Sequence, residues 1–349
     1  MTIRVGLIGF GLAGQVFHAP TLRVVPGMEL ACILERHGSK AQEKYPEVRV
    51  ARTLEELLSD ETIRLCVIAT PHITHFELAQ RCLMAGRDVV VDKVFTPTLR
   101  EAEQLIALAK EKKRMITVYQ NRRWDGDFLT VRRILASGRL GRVVDCEVRF
   151  ERFRTDLRPN SWREISQAGS GMLFDLGPHL VDQALLLFGE PLSVTASVFR
   201  QRETTKVDDA FDVCFEYPDL RVSLRARSIA CAPSAHFTLH GTKGSFVKYG
   251  LDPQEDLLKA GAVPQGPDWG QDSPELWGTL TLAESGSKEK AKTEPGAYPS
   301  FYENVRDALV NGTSPAVTNE QMWRTMRALE LAKQSSEQGK TMPWGEGRN

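Results

Sequence analysis

Between Gly169 and Gln183 the chain reads Gly-Ser-Gly-Met-Leu-Phe-Asp175-Leu-Gly-Pro-His179-Leu-Val-Asp182-Gln183, which sets a carboxylate and an imidazole four residues apart behind a glycine-rich approach. Histidine titrates near neutrality and passes protons in either direction, and a neighbouring carboxylate can fix its tautomer and orientation. The pair therefore reads as an acid/base site. Asp182 extends the set toward a metal reading, but Gly177-Pro178 interrupts the segment. A proline belongs in the first turn of a helix, so Asp175 falls before or at the cap and the three side chains do not form one regular face. We expect no metal.

A second group of residues supplies a partner for that site. The first apolar run is followed at once by Gly9-Phe10-Gly11-Leu12-Ala13-Gly14 and then by a helical pattern. In such a strand-turn-helix the first glycine permits the tight turn, the second lets a pyrophosphate approach the backbone, and the third lets helix pack on strand. Glu35, at the end of the second strand, is placed to accept hydrogen bonds from an adenosine ribose, which favours NAD. Arg36, Ser39 and Lys40 follow and suit a 2′-phosphate, so the expected cofactor is NAD or NADP, leaning to NAD. Thr70, Pro71, His72 and His75 end the third strand and Asp92-Lys93 the fourth, where open α/β sheets bind ligands. Asn121, Arg122, Arg123 and Trp124 follow the fifth. Capping by His72 and His75, and ion pairing by Arg122 or Arg123, are the structural alternatives.

These residues need a scaffold, and the chain of 349 residues is long enough for two domains. Strands at 3–8, 28–34, 65–69, 88–91 and 115–118 alternate with helices near 12–24, 54–58, 74–85 and 98–112, the pattern of a parallel sheet covered on both faces. Beyond Tyr119 longer alternating strands appear at 143–153, 192–202, 208–217, 221–231 and 235–249, with a helix near 179–188. They predict an antiparallel sheet with helices on one face. Gly-Thr-Lys-Gly at 241–244 marks a tight hairpin, and the polar stretch 284–296 a loop or exposed hairpin end. Helices at 300–311, stopped by Gly312, and at 319–337, after Thr318, close the chain. Residues 1–120 are thus assigned to cofactor binding and 121–349 to substrate binding and oligomerisation.

Lys plus Arg and Asp plus Glu each total 45, so no charge excess draws the chain to nucleic acid or an anionic membrane. A small molecule is the expected partner. Six cysteines without close pairing, and an N-terminus that enters a strand without a secretory pattern, predict reduced thiols in a soluble, cytoplasmic protein.

Taken together these strings resemble the Gfo/Idh/MocA oxidoreductases, most closely the bacterial branch containing scyllo-inositol dehydrogenases. The branch is indicated by Asn121-Arg-Arg-Trp-Asp125, by His240-Gly-Thr-Lys-Gly-Ser-Phe-Val-Lys-Tyr-Gly250 and by Leu251-Asp-Pro-Gln-Glu255, and the likeness continues through Phe301-Tyr302-Glu-Asn304. The resemblance implies an α/β protein with an N-terminal Rossmann domain and a C-terminal α+β domain built on a large, open, mainly antiparallel sheet. It also implies that Lys93, Asp175 and His179 form the catalytic set. The family's Glu-Lys-Pro motif falls on Asp92-Lys93-Val94, which keeps the lysine and loses the proline that would shape its turn.

The expected reaction moves hydride between a secondary alcohol of a polyol or sugar and nicotinamide. In it His179 takes the hydroxyl proton, Lys93 holds the oxygen and Asp175 orients His179. Arg122, Arg123, Trp124, Trp162 and Arg163 join these three on the substrate side. A glycosidase using NAD transiently for oxidation and elimination is the rival enzyme, and a non-catalytic NAD(P) sensor the rival binding protein. The open sheet suggests a homodimer or homotetramer, since an exposed sheet face tends to find a partner.

Overall fold

Short runs of Val, Ile and Leu that are apolar at nearly every position can be buried only in a sheet covered on both faces. The computed structural model, which describes residues 2–157 and 164–345, places five of them side by side with a short edge strand as the sixth. They are β1 (Ile3–Ile8), β2 (Met28–Leu34), β3 (Arg49–Ala51), β4 (Ile63–Ile68), β5 (Asp88–Val91) and β6 (Ile116–Val118). All are parallel, in the order β3-β2-β1-β4-β5-β6. This is the doubly wound order in which the chain reverses direction beside β1, and the crevice outside the carboxyl ends of β1 and β4 is where a dinucleotide lies. The Rossmann expectation is therefore met.

The linking helices are α1 (Ala19–Arg23), which a π-helical turn at Gly14–His18 precedes, α2 (Lys40–Lys44), α3 (Leu54–Leu58), α4 (His75–Met84) and α5 (Leu99–Lys112). Their starts follow local chemistry. At α5 the Glu101 N–H donates to Thr98 Oγ1 and the Thr98 N–H to Glu101 Oε2, a reciprocal cap that satisfies two otherwise orphaned donors.

After α6 (Gly126–Ala136) the alternation changes to in-out. The strands are β7 (Val143–Glu151), β8 (Ser193–Phe199), β9 (Ala210–Glu216), β10 (Arg221–Arg227), β11 (Ala235–Gly241), β12 (Gly244–Tyr249), β13 (Gly278–Leu282), β14 (Lys288–Ala291) and β15 (Met342–Pro343). They form one nine-stranded sheet in the order β14-β13-β12-β11-β7-β10-β9-β8-β15, antiparallel except where β10 runs parallel to β7. Cys146, Val148, Phe150, Val213, Phe215, Leu224, Phe237 and Phe246 make its buried face, against which α7 (Met172–Asp175) and α8 (Gly177–Phe188) pack. The opposite face carries a cross-strand lattice of charge: Arg149 with Glu147 and Glu151, Arg225 with Glu147 and Asp212, and Arg227 with Asp212. That face is polar, so the apolar patch implied by the oligomerisation argument is absent from it.

Sequence patterning did not show β3, β13, β14 or β15. Lys288–Ala291 has no strand propensity of its own; it becomes a strand by pairing with β13 at the sheet edge, where charged residues are favoured. The stretch 284–296 is thus a hairpin arm as well as a loop. The remaining helices are α9 (Gln254–Lys259), α10 (Pro299–Asn311), which stops at Gly312 in the left-handed region, and α11 (Asn319–Gln338), whose Gln321 N–H donates to Thr318 Oγ1. By contacts the chain divides into two discontinuous units. One holds residues 1–124, 253–269 and 297–323; the other holds 125–252, 270–296 and 324–349.

Candidate active site

The glycine loop is built as its spacing predicts. Gly9 has φ +98°, in the left-handed region, and a Cβ there would come within 2.8 Å of Thr70 Cγ2 and 2.9 Å of the Ala69 carbonyl. A Cβ on Gly14 would collide with the Gly9 carbonyl oxygen. Packing inside the protein therefore demands both glycines. Gly11 is different: a Cβ there meets no protein atom within 4 Å. Nothing in the chain needs that position bare, which is what a backbone kept open for a bound pyrophosphate looks like. Phe10 packs on Tyr45, with ring centroids 6.0 Å apart, while Leu12 is exposed. Gly11→Ala is accordingly expected to leave the melting temperature within about a degree of wild type, as an exposed substitution should, and to weaken NAD(P)H binding at least tenfold. Unchanged affinity by fluorescence titration would remove Gly11 from the cofactor site.

At the adenosine end, Glu35 is buried and its Oε2 accepts the Ala41 N–H at 3.1 Å, which turns the carboxylate back onto the first turn of α2. Arg36, Ser39 and Lys40 are exposed beside it, with the Ser39 hydroxyl hydrogen-bonded to Glu43. Thr70 shares a hydrogen bond with Thr74 at 2.7 Å, next to the half-buried Pro71 and the buried His72. His75, expected as a cofactor contact, is enclosed by the protein. It is 1% exposed, with Nδ1 2.8 Å from the Val94 carbonyl and Nε2 2.9 Å from the Thr70 carbonyl. Both ring nitrogens face the protein, so His75 ties the loop after β4 to the loop after β5. Burial holds its imidazole below the ordinary histidine range, although Asp92 and the nearby carbonyls favour the protonated form.

Asp92 and Lys93 end β5 as expected, with Lys93 half-buried and the Lys93–Val94 peptide cis. Asp92, expected among the cofactor contacts, is half-buried and its Oδ1 accepts the Lys93 N–H at 2.8 Å. Arg122 and Arg123, expected on the substrate side, pair within the protein. Arg122 is buried with Nη2 2.5 Å from Glu255 Oε2, and Arg123 Nη1 donates to the Ala316 carbonyl at 2.7 Å and to Gln321 Oε1 at 3.0 Å. Their guanidinium groups fasten neighbouring segments, the structural alternative named above. Asn121 is buried; Trp124 is half-buried, edge-on to Phe301 at 5.7 Å. Trp162 and Arg163 lie outside the described residues.

Asp175 and His179 stand on either side of a break between two helices. α7 is a single turn ending at Asp175; Leu176 links it to α8, in which Pro178 occupies the first turn and His179 follows it. The Asp175 N–H donates to the Gly171 carbonyl at 3.0 Å, so the aspartate closes a helical turn of its own. Asp175 is half-buried and His179 buried.

What seats that turn is a residue the spacing did not mark. Gly171 has φ +91°, and a Cβ on it would overlap the Asp208 carboxylate. Asp208 caps α7 twice: Oδ2 accepts the Leu173 N–H at 2.8 Å, and its carbonyl accepts the Met172 N–H at 2.8 Å. Burial pushes the Asp208 carboxyl up to about 6, with the backbone N–H groups opposing. A carboxyl raised by folding stabilises the folded state only while protonated. Stability from this group is thus present below the ordinary aspartate range and lost as pH rises to about 6. Asp208→Asn keeps an acceptor and removes the titration, so its melting temperature should gain on wild type between pH 4.5 and pH 7, roughly the window set by the linkage. A difference independent of pH would contradict this assignment.

The architecture and loop define an oxidoreductase with an NAD(P)-binding Rossmann domain. Residues 3–120 match the family described as oxidoreductase family, NAD-binding Rossmann fold, and residues 132–344 match the oxidoreductase family C-terminal alpha/beta domain, so the chain belongs to the Gfo/Idh/MocA family. It is 44% identical to the oxidoreductase YdgJ of Escherichia coli K12, over 97% of this chain and 98% of that one. It is 38% identical to scyllo-inositol 2-dehydrogenase (NADP(+)) IolW of Bacillus subtilis, over 98% and 96%. Among solved structures, the YPO2259 oxidoreductase of Yersinia pestis superposes with a TM-score of 0.94 at 40% identity, over 100% of this chain and 98% of that one.

Proposed function

We propose that the protein oxidises a secondary alcohol of an inositol-like polyol or sugar, with residues 1–120 holding NAD(P) and 121–349 the substrate. The observation that supports this most directly is the α7–α8 break, with an imidazole one turn after a carboxylate and with Asp208 capping α7 beside Gly171. In this reading His179 takes the hydroxyl proton, Asp175 fixes the imidazole's tautomer and orientation, and the Lys93 ammonium donates a hydrogen bond to the oxygen as negative charge develops on it. The bound nicotinamide supplies the acceptor for the carbon-bound hydrogen.

The relative IolW is named for an inositol and for NADP(+), which agrees with two features here. Glu35 is occupied with α2, and Arg36 and Lys40 are exposed beside it, so the adenosine rim accepts a 2′-phosphate as readily as a free hydroxyl. We therefore place NADP alongside NAD rather than below it. No helix of the described residues is long and apolar enough to cross a membrane, and all six cysteines are free, four of them buried. The free, mostly buried thiols suit a reducing compartment, so we place the protein in the cytoplasm, as a homodimer or homotetramer whose interface, if it uses the open sheet face, is polar. There an isologous interface would set each protomer's Arg and Glu rows against its partner's.

The deciding experiment is a panel of inositol isomers, other polyols and aldoses, each with NAD and with NADP, scored by formation of reduced cofactor. Turnover confined to inositol-like compounds supports the reading. Activity only on acyclic polyols, or none with any alcohol, rejects it.

A further inference from the structure

His18 ends the π-helical turn that opens at Gly14, and its side chain is fully buried. Its Nδ1 lies 2.6 Å from the Tyr302 hydroxyl on α10, 284 positions along the chain. Its Nε2 lies 3.7 Å from Asp92 Oδ1 and has no hydrogen-bond partner among the described residues. The ring rests on Tyr119, with centroids 4.3 Å apart, and Tyr119 in turn stacks on Tyr302 at 5.7 Å. Filling this space with apolar side chains would cost less than enclosing an imidazole, a phenol and a carboxylate together, so the cluster asks for a role beyond packing.

Proton placement gives the cluster a direction. If Nδ1 is unprotonated, the Tyr302 hydroxyl donates to it and the proton of the neutral ring sits on Nε2, facing Asp92. If the ring is an imidazolium, Nε2 still carries a proton. The remaining tautomer would set a lone pair against a carboxylate oxygen. In each favourable case Nε2 carries a proton and lies 3.7 Å from Asp92 Oδ1, within ion-pair reach of the oxygen that accepts the Lys93 main-chain N–H.

We infer that His18, held by Tyr302, is a positioning residue for Lys93: it fixes the Asp92 carboxylate, and through it the main chain that aims the Lys93 ammonium. This rests on the reading of Lys93 as the group that holds the substrate oxygen. The charge balance around Asp92 agrees. Burial opposes ionisation of its carboxyl, yet the His18 imidazole, together with Lys93 and His75, holds it below the ordinary carboxylate range. Burial also pushes the Tyr302 hydroxyl well up, with Tyr119 and Asp92 adding to the effect, so Tyr302 keeps the proton it shares with His18. His18, Tyr119, Tyr302, Lys93 and His75 are the titratable groups that these contacts place around the carboxylate.

The test compares His18→Leu with His18→Gln, whose amide nitrogen can occupy the place of Nε2. Leu removes the donor and leaves only Lys93 and His75 to oppose burial, so the Asp92 carboxyl rises. The pKa of the Asp92 carboxyl, followed by carbon-13 NMR of the labelled side chain, should move up by about one pH unit or more. At neutral pH kcat should fall on the order of 10- to 100-fold, the scale of a small misplacement, with KM for NAD(P) little changed. Gln should restore most of both. A second measurement does not need turnover: the rate at which acetic anhydride acylates Lys93 in the intact chain, relative to exposed Lys40, read by mass spectrometry. That ratio should change about threefold or more in His18→Leu and return in His18→Gln, in line with a moved ammonium group. If Leu and Gln behave alike in both assays, or if Leu leaves the Asp92 titration and the labelling ratio where wild type has them, the inference is overturned. If wild type turns over no polyol while the labelling ratio follows the donor, the alcohol-oxidation reading fails and the positioning of Lys93 by His18 stands.

Discussion

Replacing His179 with alanine is expected to lower kcat/KM for alcohol oxidation by roughly 10²- to 10⁴-fold, the range that a positioned acid/base group contributes. NAD(P)H affinity should stay within about twofold of wild type, because the glycine loop, the Glu35 turn and the β4 loop all belong to the other unit. The imidazole sits in the first turn of α8 just after Pro178, whose fixed φ starts the helix without a donor to satisfy. Alanine is a good helix former, so the backbone there should survive the change. Asp175→Asn provides the graded comparison: it retains the side chain's shape but loses the charge that stabilises the imidazole when it takes a proton. Its loss should be smaller than that of His179→Ala, and the double variant should fall about as far as His179→Ala alone, since groups that act as a unit are not additive. Near-normal turnover in His179→Ala, measured with folding confirmed by circular dichroism, would sink the proposed mechanism.

The largest loss of stability is expected from Lys248→Ala, at about 3–5 kcal/mol, because it breaks a buried ion pair from one side. Lys248 occupies a core-facing position of β12, in register with Phe246 two residues earlier, and its side chain has no solvent exposure. Its ammonium lies 2.9 Å from Asp272 Oδ2 and donates to the Tyr249 carbonyl at 2.6 Å, and the Thr293 hydroxyl donates to the same Asp272 oxygen at 3.1 Å. Alanine leaves Asp272 enclosed and charged with one weak donor, and it opens a cavity beside Phe246 as well. The joint replacement Lys248→Met with Asp272→Leu removes both charges and should recover most of the loss. Urea midpoints for the single and joint variants give the comparison; a single variant within about 1 kcal/mol of wild type would show that the pair is not holding the β12 edge together.

Much of the architecture is legible because side-chain periodicity is a local property. Continuous apolar runs such as Val89-Val90-Val91 can be buried only in a covered parallel sheet, and the in-out alternation of Cys146, Val148 and Phe150 can serve only a sheet with one wet face. The hairpin at 241–244, the stop at Gly312 and the cap at Thr318 were legible for the same reason, since each is settled by a few adjacent residues. Edge strands were not. β14 and β15 are strands only because a neighbour offers them a ladder. Arg122, Arg123 and His75 sit at the predicted strand ends, but whether a side chain there faces a ligand or the protein depends on segments far along the chain. Glu255, Ala316 and Val94 took them.

From sequence alone come the five-strand alternation, the glycine loop and the Asp175–His179 spacing across Pro178, because each is written in residues close enough to be constrained by backbone geometry. Tertiary structure decided which polar groups are enclosed together. It brought Tyr302 to His18, Asp208 to the turn at Gly171, and Asp272 to a lysine that pattern alone would have left in water. Such partners are chosen by the summed packing of whole elements, and the penalty for leaving a buried polar group unmatched then fixes each pairing to one geometry.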